Sequence, residues 1–236
     1  MLLGCRKVKI KAFPIWLILF LITSCSANAK ELYRLDFSQQ KDGDATEWLQ
    51  KKGLKFKLDA DEISLKFEDG KLKIKTTEEI TGIIGIQFTD DKVLENIGYA
   101  IIEWGVEKFP QGADWEDGNN RLAIGFLFVL GTEKLSSGLP FGINAAPYFL
   151  GPFIGEKEHL NKRYLGRLYK KGGRYYCVAN KNSTGTVVTR FDINQTFQKE
   201  FNKPTPALTS FGFQVNTKDT EGGAEAFIKR VTFFSR

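Results

Sequence analysis

The chain is poor in the residues that most enzymatic chemistry needs. It has one histidine, His159, one methionine, Met1, and three cysteines. Cys5 and Cys25 fall in the first 25 residues, so Cys177 stands alone beyond them. A lone cysteine closes no disulfide within the domain, and a core built from ~200 residues is large enough to hold the fold without one. Cys177 lies in the strand pattern Arg-Tyr-Tyr-Cys-Val-Ala and reads as a small buried hydrophobe. Ser-His-acid and Cys-His catalysis would both depend on His159, which sits in a charged stretch with no nucleophile elbow beside it. Phosphate-loop, dinucleotide-binding and zinc-ligand spacings are also missing.

A membrane-spanning run is lacking as well. The apolar stretch 13–22 is shorter than the about 20 residues a bilayer requires. It follows Arg6, Lys7, Lys9 and Lys11 and precedes small residues, the three-part order of a secretory signal. Two processing routes compete. Cleavage after Ala27-Asn28-Ala29 releases a single domain, residues 30–236, whereas Ile22-Thr23-Ser24-Cys25 resembles the bacterial lipobox and would make Cys25 the acylated first residue. Either route predicts an exported protein, in the periplasm, on the outer membrane or secreted. Contact with a membrane then comes only through the signal or a lipid anchor.

The formal charge of +6 is partly a property of this leader. Without its four basic residues the chain has 30 basic against 28 acidic residues, close to balance. No basic stripe or stacking platform remains, so nucleic acid is not an expected partner.

What the chain has in quantity is phenylalanine and glycine, 20 and 23 residues, a balance that favours strands and turns. Alternating segments at 32–37, 55–58, 63–67, 72–76 and 82–88 read as short strands. Asp69-Gly70 supplies a tight hairpin turn. Trp48 follows a polar loop that it would anchor. The organising stretch is 100–130, two long apolar strands joined by an acidic loop, 109–120. In the second of them Leu122, Ile124, Phe126, Phe128 and Leu130 share one side, with Ala123, Gly125, Leu127 and Val129 on the other. A strand apolar on both faces belongs in the middle of a covered sheet. Residues 139–154 mix Pro, Gly and aromatics without a period and read as a packed loop or an aromatic lid. Residues 164–169 and 174–179 form an expected hairpin, 186–191 a strand, 194–201 a short helix capped by Asn194, and 211–217 and 226–234 the closing strands. The predicted fold is all-β, a jelly-roll-like antiparallel β-sandwich with one short helix.

Three stretches carry a family resemblance. Glu103-Trp104-Gly105-Val106 is followed by Pro110-Gln111-Gly112-Ala113-Asp114, Asn119-Asn120-Arg121 precedes an apolar strand, and Phe191-Asp192-Ile193 is followed by Val215-Asn216-Thr217-Lys218-Asp219-Thr220. Together they resemble the bacterial domain-of-unknown-function family numbered 3047. Asn119 and Asn120 stand where the family pattern has acids, and Asn216 likewise. The resemblance implies an exported β-sandwich and brings no established activity with it.

The acidic loop holds the candidate site. Asp114, Asp117 and, from the closing loop, Asp219 are hard oxygen ligands of the kind calcium prefers, although the twelve-residue calcium-loop spacing is absent. Asp114, Trp115, Asn119, Asn120 and Arg121 are the candidate ligand-binding residues, with Trp115 either stacking on a sugar or anchoring the loop. Trp104 alternates with Ile102 and Val106 and reads as core. Glycoside hydrolysis needs carboxyls about 5–9.5 Å apart. Glu103 and Glu107, four strand residues apart, would be separated by about 13 Å, so that pair fails and Glu103 reads as a buried, paired acid. The expected function is non-catalytic binding of a glycan or another surface component at the envelope. The alternatives are a glycosidase- or lyase-like enzyme on the same face and a structural envelope protein that binds other proteins.

Overall fold

Among the described residues, alternation of inward apolar and outward polar residues builds two seven-stranded sheets that share one core. The computed structural model describes residues 29–77, 79–138 and 145–236. The expected signal, Cys25 and the stretch 139–144 lie outside the described residues.

In chain order the first elements are β1 (Glu31–Asp36), β2 (Gly43–Asp44), α1 (Thr46–Lys51), β3 (Lys55–Leu58), β4 (Ser64–Glu68), β5 (Lys71–Thr76) and β6 (Thr81–Gln87). Next come β7 (Ile97–Lys108), β8 (Leu122–Leu135), β9 (Ala146–Ile154), β10 (Arg163–Tyr164) and β11 (Gly173–Ala179). β12 (Val187–Asp192), α2 (Ile193–Phe201), β13 (Leu208–Asn216) and β14 (Ala224–Ser235) complete the chain. The first sheet runs β12-β7-β14-β5-β4-β2, with β1 also paired to β14, and the second runs β10-β11-β9-β8-β13-β6-β3. The all-β sandwich is therefore as expected. Trp104, fully buried on β7, meets Phe126 of β8 edge-on at 5.3 Å, and Phe233 of β14 meets Phe128 and Phe211 at 5.3 and 4.9 Å. These rings tie one sheet to the other. The Trp104 indole N–H donates to Thr189 Oγ1 at 3.0 Å, so its polar end is satisfied as well.

Four local features differ from expectation. Residues 146–154 form a strand, β9, antiparallel to β8 and parallel to β11. Pro147, Gly151 and Pro152 interrupt the alternation there, so pattern alone reads a loop. The expected hairpin is shorter, Arg163 and Tyr164 pairing with Tyr176 and Tyr175, and residues 165–172 form an irregular connection. A second short helix, α1, carries Trp48, whose ring packs on Phe37 and Phe67. In α2 the cap is Asp192, whose carboxylate accepts from Gln195 N at 2.8 Å, in place of Asn194. The Asp69-Gly70 turn is as expected, both residues having positive φ, 53° and 66°.

A bulge in β8 matters most for the site. Gln214 of β13 faces Gly125 and Asn216 faces Leu122, so β8 carries one extra residue between them. Ala123 and Ile124 both point into the main core, and Leu122 turns to the opposite face. The sides expected from alternation for Leu122 and Ala123 are thereby both corrected.

Candidate functional site

The outer face of the second sheet is an open groove with a cavity of about 560 Å³. Its floor is made by the outward positions of successive strands, among them Ile83, Leu127, Val129, Gln214, Ser210 and Phe149. β8 is thus covered fully on its inner face, while Leu127 and Val129 are only half-buried on the outer one. Gly85 and Gly212 face each other across β6 and β13. A Cβ on Gly85 would stand 2.8 Å from the Phe211 carbonyl oxygen, so close backbone approach demands glycine, and no side chain rises there.

The acidic loop closes one end. Trp115 is 6% exposed and stacks on Phe153 at 4.7 Å, with Tyr164 and Tyr175 against it at 5.8 and 4.8 Å. With Leu122 and Cys177 these rings form a second, smaller core on the outer face. The indole N–H donates to the Arg121 carbonyl at 2.8 Å and the Trp115 backbone N–H donates to Glu158 Oε1 at 3.0 Å. Trp115 therefore anchors the loop, and its ring is not free to stack on a ligand. Glu158 is 1% exposed and was not singled out in the sequence, where GEKEHLNK reads as a surface loop.

The other predicted residues divide. Asn120 and Arg121 line the groove beside Trp115. Asp114 is used as a turn cap, its Oδ1 accepting from the backbone of Glu116 and Asp117. Asn119 donates to the Gly112 carbonyl at 2.7 Å and ties the loop to the Asp219 carbonyl at 3.4 Å. Arg121 donates to the Asp219 carboxylate and the Lys218 carbonyl, so the two loops are clamped together. Among the described residues no group of three or more His, Cys, Asp or Glu is placed to hold a metal ion. The expected calcium set of Asp114, Asp117 and Asp219 is therefore not assembled: Asp219 pairs with Arg121 and Asp114 caps its own turn.

Tyr175 lies between Gly151 and Gly166, where added Cβ atoms would approach its ring to 2.7 and 2.9 Å. Burial pushes its phenol up to about 12, against a hydrogen bond from Gln214 that draws it down. Tyr164 is likewise raised, by burial and by its bond to Glu116. Cys177 is fully buried, its thiol pushed up to about 11 by burial, which suits the packing role expected for it. Glu103 is paired with Arg230 and Lys229 on the first sheet. Burial opposes its charge, but these two cations outweigh it and hold the carboxyl below its ordinary value. Glu107 is engaged separately, by Lys73.

The residues sequence reasoning missed are Gln87, Ser210 and Gln214 on the floor and Lys55, Lys57 and Arg167 on the rims. Polar residues recurring at outward positions of β13, next to Gly212, were the available signal.

No protein-family model matches the chain, and no curated protein matches it in sequence. Among solved structures it is similar to BiXyn10A CBM1 in its apo form, at 11% identity, covering 88% of this chain and 99% of that one with a TM-score of 0.38. It is similar also to the K1 cleaved adhesin domain of Lys-gingipain from Porphyromonas gingivalis W83, at 12% identity over 86% and 98% of the chains, TM-score 0.34. The potassium-bound Emp46p carbohydrate recognition domain gives 11% identity over 86% and 95%, TM-score 0.40. These are distant likenesses of shape, and nothing about a ligand follows from them.

Proposed function

We propose that the protein is an exported, non-catalytic binding module that takes a glycan along the groove of the second sheet. The supporting observation is the make-up of the floor. Hydrogen-bonding groups from Gln87, Ser210 and Gln214 stand among the apolar Ile83, Leu127 and Val129. A sugar presents hydroxyls at its edge and C–H groups on its faces, and such a mixed surface answers both. Export, by cleavage after residue 29 or lipidation at Cys25, and membership of the family numbered 3047 belong to the same proposal.

The enzyme alternative finds less support. Hydrolysis would use two carboxyls across the scissile bond, and no Asp or Glu is among the described residues lining the groove. The test is a thermal melt of the full chain against a panel of oligosaccharides, with calcium and with chelator. A sugar at 100 times its dissociation constant adds about 2.7 kcal/mol to the folded state. Val129→Trp, which fills the groove from its floor, should abolish that shift. A panel in which no sugar raises the midpoint sinks the reading.

A further inference from the structure

We propose that the groove takes an acidic glycan, one bearing carboxylate or sulfate groups at intervals along its length. This rests on the reading of the groove as a glycan site and names the chemistry of its ligand.

Among the described residues, the charged residues of the groove wall are all cations: Lys55, Lys57, Arg121 and Arg167. A cleft lined by one sign of charge, with a low-dielectric floor, concentrates the opposite sign inside it. Arg121 is already committed to Asp219 and the Lys218 carbonyl and is 15% exposed, so it serves structure. The other three differ. Lys55, Lys57 and Arg167 are exposed, and among the described residues no hydrogen bond or ion pair engages their side chains.

Their placement sets the size of the ligand. Lys55 and Lys57 alternate on β3, the edge strand, and so share a face. Arg167 lies in the connection before β11, at the other rim, five strands away in the sheet order. At about 4.8 Å between neighbouring strands, the two rims stand on the order of 20 Å apart. One small anion cannot bridge that span, whereas an oligomer with repeated acid groups can. Between the rims lie Gln87, Ser210 and Gln214, neutral donors and acceptors suited to hydroxyls, with the Gly85–Gly212 pair keeping the floor low.

Lysines on an edge strand have a second use, since they discourage pairing with another chain. That accounts for Lys55 and Lys57 but not for Arg167, which is on no strand. The shared feature of the three is that they border the same groove.

The experiment is calorimetric titration of the full chain with matched pairs of probes. Oligogalacturonate is set against its methyl-esterified, neutral form, and a sulfated galactan oligosaccharide against its desulfated form. The expected result is that at least one acidic member binds and its neutral partner does not. Binding should weaken as salt is raised, because the Debye length falls from about 10 Å at 0.1 M to about 3 Å at 1 M. Which pair responds tells carboxylate from sulfate. Lys55→Gln/Lys57→Gln/Arg167→Gln should lose about tenfold in affinity with its melting temperature unchanged, each exposed cation contributing a fraction of a kcal/mol. Neutral members binding as tightly as acidic ones, with the triple variant unaffected, overturn the inference and leave the glycan reading standing. Acid-selective binding that survives in the triple variant overturns it too. Absence of binding by every probe overturns both.

Discussion

The outer faces of the two sheets are made from similar residues and are used in opposite ways. On the first sheet, cations and anions pair between strands, adjacent ones or, for Glu107 and Lys73, across the intervening β14. Glu103 meets Arg230 and Lys229, Asp36 meets Arg230, Glu107 meets Lys73, and Glu225 meets Lys75. Lys71 and Lys73 also lie over the ring of Phe227, and Arg190 over Tyr99. On the second sheet the described residues of the groove wall include cations and no acids, and the floor between them is kept open by glycine. A face whose charges are matched at home has little left to offer a ligand. A face whose exposed cations have no partner among the described residues, beside the Gln87 amide and an apolar floor, keeps interactions open to a ligand. Exposure alone does not mark a site; interactions left without a partner do.

That contrast can be broken, and the largest effect is expected at the end of the groove. Trp115→Ala removes the ring that Phe153, Tyr164 and Tyr175 pack against and should destabilise the fold by about 3–5 kcal/mol. Denaturant unfolding checks this, and a loss under 1 kcal/mol would mean that the second small core is not structural. Next in size is Arg230→Met on the paired face. It strips Glu103 and Asp36 of a shared partner and should cost about 1–3 kcal/mol. A wild-type midpoint would count against a stabilising network there.

The same network predicts a pH dependence. Glu103 and Asp36 have carboxyls held below their ordinary values; at both, burial opposes the charge and partners outweigh it. At Glu103 these are Arg230 and Lys229; at Asp36 they are the Ser38 hydrogen bonds, then Arg230 and Arg34. A carboxyl lowered in the folded state contributes stability that is present above its unfolded value, about 4, and is lost as pH falls through the lower folded value. Thermal midpoints recorded from pH 6 down to pH 2 should drop steeply below about pH 4. Arg230→Met should flatten that drop, and an unchanged slope would move its origin elsewhere. The smallest effect belongs to the groove. Exchanging Lys55, Lys57 and Arg167 for Gln should alter stability by less than about 0.5 kcal/mol, because none has a partner among the described residues. A larger loss would show that the two faces are less different than the contacts indicate.

Much of the sandwich was legible because its strands are short, alternating and separated by turns with recognisable chemistry. Asp69-Gly70 is an example, where the residues themselves dictate positive φ. β9 was not legible, because Pro147, Gly151 and Pro152 erase the period and its stability comes from β8 and β11 on either side. Of the acidic loop, Asn120 and Arg121 border the groove. Its tryptophan reads from sequence as either a stacking ring or a loop anchor, and it is the anchor; the partners that bury it come from β9, β10 and β11, far away in sequence. The bulge that turns Leu122 outward leaves no mark in composition. The rim cations look like ordinary surface charge until the sheet order brings β3 and the connection before β11 to opposite sides of one groove.

The two ends of the described chain lie side by side. β1 pairs antiparallel with β14, Glu31 opposite Phe234, and Ser235 N–H donates to the Lys30 carbonyl at 2.8 Å. Both ends therefore leave from the first sheet, whereas the groove opens on the second.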